Sequence, residues 1–180
     1  DRTADGRVGG LGPMSQVTAQ VTTAAGFTQE SFDAFLQARN EPAWLTELRC
    51  GAWSHFCQLP LPSRENDEWT RTDIRLFRLD RYHSPGEFPA EVPTTSALLA
   101  ERVELGGRVI SLNSRSLEAS LEDEWIKRGV LFGSLEALVA EHSEVLKPFL
   151  LRRAVDPHFD KFSALNAAFW SGGTLLYVPR

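Results

Sequence analysis

The 180-residue chain is 42% hydrophobic and 24% charged, which supplies enough apolar material for a packed core and excludes wholesale disorder. A net charge of −5 with dispersed basic residues argues against a nucleic-acid surface, and no apolar run nears the roughly 20 residues that span a bilayer. Two cysteines and no amino-terminal apolar stretch point to a reducing, cytoplasmic setting rather than a disulfide scaffold.

Asp1–Pro13 is Gly-rich and aperiodic, and reads as a non-native or disordered leader ahead of Met14, the only methionine. Thr28 is an N-cap candidate for a first helix carrying Phe32, Phe35 and Leu36, ending near Asn40. Pro42 opens a second helix, because proline suits a first turn. Trp44, Leu45, Leu48, Ala52, Trp53 and Phe56 form its apolar stripe until Pro60 and Pro62 end it. An acidic segment with Glu65, Asp67 and Glu68 follows. Next come Arg71, Arg75, Arg78 and Arg81, spaced as one solvated helical or turn face. Ser84–Pro93 holds three prolines and a glycine and marks a boundary.

Beyond it the pattern mixes strand and helix. Gly106-Gly107 between residues 102–105 and 108–112 predicts a two-residue hairpin, and Gly129–Phe132 a short strand. Ser134 caps a predicted helix through about His142, and a further helix starts near Ser143. Asp156-Pro157 reads as the cap and first position of the last helix, with Phe162, Leu165 and Phe169 on one side. Gly172-Gly173 then stops it, and Thr174–Val178 has strand chemistry. A strand so placed either pairs backwards or belongs to a longer protein. The division is a leader (1–13), a helical amino-terminal domain (14–83), a linker (84–98) and a mixed α/β segment (99–180). The fold class is α+β.

Chemistry is sparse. No GxxxxGK[ST] string occurs, and the two Gly pairs lack dinucleotide-site spacing, so they read as turns. Cys50 and Cys57 lie seven apart on one helix and face the same way, with His55 on a different side. Two thiols at that spacing fall short of a zinc or iron–sulfur ligand set, and they read as small packing residues. His83, His142 and His158 fall in separate segments without an adjacent nucleophile. Glu65, Asp67 and Glu68 could pair for hydrolysis, which makes a small stand-alone cytosolic hydrolase the alternative function; as a solvated turn they would do nothing catalytic. No catalytic, cofactor-binding or metal-binding residue emerges.

Three stretches carry a family resemblance. Glu41-Pro42 with Trp44, Leu-Pro-Leu-Pro at 59–62, and Glu68-Trp69 followed by Thr72-Asp73 form the first. Gly129–His142 and Asp160–Pro179 are the others. In this order they resemble the SufB/SufD family of iron–sulfur cluster assembly proteins, and the first stretch is more similar to the SufD branch. The resemblance implies the amino-terminal portion of a non-enzymatic scaffold subunit in a SufBCD-type complex. The described helical domain would then lead into a truncated right-handed parallel β-helix core. Implied partners are SufB-like and SufC-like subunits, with a homodimer through the β-helix as a further option, and neither nucleic acid nor membrane. An iron–sulfur cluster would form at the level of the complex, with no cofactor in this portion. The family's assembly residues lie beyond these 180 positions, so none is carried over.

Overall fold

The computed structural model describes residues 26–83, 104–151 and 154–180. The expected leader and linker lie outside these residues. Helix α1 (Gln29–Gln37) starts at a reciprocal cap: the Thr28 hydroxyl accepts from the Ser31 amide at 3.2 Å, and the Ser31 hydroxyl accepts from the Thr28 amide at 2.9 Å. Helix α2 (Ala43–Gln58) follows Pro42, whose missing N–H costs nothing at a helix start.

The principal core joins the two ends of the sequence. Phe32 and Phe35 of α1, and Ala52, Trp53 and Phe56 of α2, enclose Ala164, Ala167, Ala168 and Phe169 of α6 (Lys161–Phe169). The alanines let α6 lie close against α2, and Phe169 meets Phe27, Phe32, Phe35 and Trp53 at ring-centre distances of 5.0–5.6 Å. Most of these contacts are edge-on or tilted, the orientations that aromatic quadrupoles favour. Phe162 leaves this core and packs instead on Trp69 and Phe77, which fastens the segment with 3₁₀ turns at Asp67–Trp69 and Leu79–Arg81.

The cap of α6 is Asp160, not Asp156. Its carboxylate accepts from the Ser163 amide at 2.7 Å and from the Trp69 indole at 3.2 Å. Asp156 instead closes a local turn by accepting from the His158 amide at 2.9 Å, the competing use of an Asp-Pro pair.

A second core gathers Leu45 of α2 with Val139 of α4 (Leu135–Glu141) and Leu146 of α5 (Ser143–Leu146), flanked by Trp44, Trp170 and Leu175. Strands β1 (Gly107–Leu112) and β2 (Arg115–Leu121) pair antiparallel, with an irregularity between Ile110 and Ser111. The hairpin therefore turns at Asn113-Ser114, with φ of +48° and +70°, and not at Gly106-Gly107. Both central residues take the left-handed geometry of a tight hairpin turn. Gly106 and Gly107 serve close approach: a Cβ on Gly106 would lie 2.7 Å from the Trp125 indole nitrogen, and one on Gly107 2.8 Å from the Phe132 ring. Trp125 belongs to the short helix α3 (Asp123–Lys127).

Strand β3 (Leu131–Ser134) pairs antiparallel with β4 (Thr174–Tyr177), in register from Leu131↔Tyr177 to Ser134↔Thr174. The last strand thus pairs backwards. Gly172 and Gly173 do not end α6, which already stops at Phe169 as Trp170 turns extended (φ −56°, ψ 132°). Gly172 lets the β1–β2 turn approach, since a Cβ there would fall 2.0 Å from the Ser114 carbonyl oxygen. The architecture is mixed, with an amino-terminal helical region and two small antiparallel sheets; the described strands form no parallel β-helix rung.

Candidate functional site

Arg49 is the chemically most unusual side chain in the fold. It occupies the apolar stripe of α2, between Leu45 and Ala52–Trp53, and is 0% exposed. Its Nε and Nη2 donate to the two carboxylate oxygens of Glu41, both at 2.7 Å, and Nη1 donates to the Ala168 carbonyl at 2.9 Å. The guanidinium also lies 4.3 Å from the Trp170 ring centre and 5.1 Å from that of Phe35. Burial pulls its pKa below the ordinary arginine value, while the Glu41 bonds oppose that fall. Alongside, Arg39 bridges Glu41 and Glu136, so the charged network reaches α4. It holds α2, α4 and α6 together.

The sequence signal for Arg49 was a lone charge inside an apolar stripe, with Glu41 one loop earlier. Stripe reading alone passes over it, because it scores apolar positions only.

Cys50 and Cys57 are both free and exposed, which corrects their reading as packing residues. The buried stripe runs through Leu45, Arg49, Ala52, Trp53 and Phe56, and each cysteine sits one position past it, about 100° around the helix. Seven residues of rise separate the thiols by about 10 Å, too far for both to bind one ion.

Glu65, Asp67 and Glu68 are exposed around the first 3₁₀ turn. Glu65 lines an open groove with Leu61, Arg64, Asp73, Arg75 and Phe77. In it, Asp73 accepts from Arg75 and Arg64, and the Arg75 hydrogen bonds hold its carboxyl well below the usual range. Arg78 similarly lowers Asp80. The arginine row is therefore exposed turn surface, partly neutralised by its own aspartates.

Histidines separate in sequence meet in one place. His55, in the last turn of α2, lies edge-to-face with His158, ring centres 4.6 Å apart. His158 Nδ1 stands 3.0 Å from Asp156 Oδ1, and the His158 amide and ring together lower the Asp156 pKa. His55 Nε2 is buried with no hydrogen-bond partner. Among the described residues, no three His, Cys, Asp or Glu side chains gather as a metal cluster, and no helix is long and apolar enough to cross a membrane.

Sequence comparison supplies what the side chains leave open. A family profile described as SufBD protein N-terminal region matches residues 29–180. An iron–sulfur cluster assembly SufBD family protein of Staphylococcus haemolyticus is 29% identical over 165 residues, covering 86% of this chain and 35% of its own length. The iron–sulfur cluster assembly protein SufB of Bacillus subtilis is 25% identical over 167 residues with the same coverage. A SufBD family protein of Staphylococcus epidermidis is 28% identical over 165 residues. The chain thus spans about a third of the length of these relatives. With the profile running from the first turn of α1 through β4 to Arg180, the chain belongs to the SufBD family and corresponds to that family's N-terminal region.

Proposed function

We propose that this chain forms the amino-terminal part of an iron–sulfur cluster assembly protein and works there as a scaffold that binds protein partners, without catalysis of its own. The family match over residues 29–180 carries this reading, together with relatives whose names state iron–sulfur cluster assembly. The geometry is in keeping with it. Its most elaborate polar network, around Arg49, is turned inward and ties helices together. Cys50 and Cys57 stand too far apart to ligate one cluster, so a cluster is assigned to the complex rather than to this portion.

Within the family we assign the chain to the SufD branch, on Leu59-Pro60-Leu61-Pro62 and on Glu68-Trp69 followed by Thr72-Asp73. Its partners are then a SufB-like subunit and a SufC-like ATPase in the cytoplasm, with the self-association of a β-helical core as the alternative assembly. Leu176 on β4 and Val178 just after it are exposed and offer an apolar face suited to contact with more protein. The test is co-purification of the tagged full-length protein with SufB-like and SufC-like proteins of its own organism. A stable complex is expected; association with neither would overturn the assignment.

A further inference from the structure

We propose that His55 and His158 form a binding site for a divalent transition-metal ion of the zinc class, independently of the assembly role above. Three observations converge. First, the two imidazoles come from different elements, the end of α2 and the turn before α6, and their centres are 4.6 Å apart at 65°. A metal–nitrogen bond of about 2.0–2.1 Å sets an ion about 3.2 Å from each ring centre, so two imidazoles meeting at 90–110° have centres about 4.5–5.2 Å apart. The observed separation of the centres lies within that span.

Second, Asp156 fixes the form of His158. An ionised carboxylate can only accept, so His158 Nδ1 carries the proton in the 3.0 Å contact. In the neutral ring the lone pair is then on Nε2, free to ligate. A carboxylate on the far nitrogen is the usual support of a metal-binding histidine. Third, His55 Nε2 is buried and unpartnered, the state of a polar atom whose partner is an ion or water. No third His, Cys, Asp or Glu joins them among the described residues, so water fills the other positions, as in open rather than structural sites.

Calorimetric titration of the 180-residue chain with zinc chloride tests this, with proton NMR of the histidine rings as a second readout. One equivalent is expected to bind, shifting the ring resonances of His55 and His158. His158→Ala, at an exposed position, should weaken binding tenfold or more, and Asp156→Asn should weaken it about 10–100-fold while leaving both ligating nitrogens in place. A Cys50→Ser/Cys57→Ser variant should bind as the parent does. The site is refuted by no binding at about 1 mM zinc, by unchanged affinity in His158→Ala, or by loss of binding in the cysteine variant. Should His55→Gln unfold by circular dichroism, the exposed His158 and Asp156 variants decide alone.

Discussion

Removing the carboxylate of Glu41 should destabilise this fold far more than removing the guanidinium and carboxylate together. Arg49 is fully buried and Glu41 only 11% exposed, and two 2.7 Å bonds join them. Glu41→Ala strands a buried cation whose one remaining hydrogen bond goes to a neutral group, the Ala168 carbonyl. Breaking one side of such a pair costs about 3–5 kcal/mol, a large share of the roughly 5–15 kcal/mol that holds a domain folded. With a urea slope of about 2 kcal/mol per molar, the midpoint should fall by about 2 M. Arg49→Met alone leaves Glu41 near Arg39 at 3.7 Å, which partly compensates it, so its cost should be smaller. Glu41→Gln/Arg49→Met places an apolar side chain of similar reach among Phe35 and Trp170 and should recover much of the loss, since buried pairs seldom outperform apolar packing. Urea unfolding followed by tryptophan fluorescence measures all three. A Glu41→Ala loss under about 1 kcal/mol, or a double variant as weak as Glu41→Ala, would show that the charge is solvated and the reasoning wrong.

Other substitutions read other parts of the structure. Gly172→Ala should cost at least about 2 kcal/mol, because its Cβ would meet the Ser114 carbonyl at 2.0 Å, whereas Gly51→Ala should stabilise α2 by about 0.5–1 kcal/mol, its Cβ meeting nothing within 4 Å; thermal melts compare the two directly. Asp160→Ala removes both the α6 cap and the Trp69 bond and should cost about 1–2 kcal/mol, seen in the urea midpoint with an unchanged slope. A disulfide-exchange reagent should titrate both Cys50 and Cys57 in the native protein without denaturant, and slow reaction of either would contradict their exposure.

The helices were legible wherever a cap and an apolar stripe coincided. Thr28, Pro42 and the α2 stripe locate α1 and α2 to within a few residues, and Ser134 marks the start of α4. Part of what eluded sequence reasoning has one physical origin: the same local chemistry serves two purposes. Gly106-Gly107 could turn a hairpin or admit Trp125 and Phe132, and only the tertiary neighbours decide. Asp156-Pro157 could cap a helix or close an Asp turn, and Asp160, with Trp69 in reach, takes the cap. The thiols of α2 miss the buried side by a single residue step. Arg49 and the His55–His158 contact depend on partners 119 and 103 residues apart in sequence, beyond any periodicity window.

That separation also shapes how the protein is made. Phe32, Phe35, Trp53 and Phe56 wait for Phe169, and Arg49 for the Ala168 carbonyl, so α1 and α2 cannot finish their core when they leave the ribosome. At about 5–20 residues per second, the delay between residues 49 and 168 is about 6–24 s, during which an aromatic surface and an arginine stay wet. Closing a loop of that length also carries an entropy cost of about 4 kcal/mol before any contact repays it. A nascent chain halted between α5 and α6 should therefore be a chaperone substrate, protease-sensitive in α1 and α2, and should become resistant only once α6 has emerged.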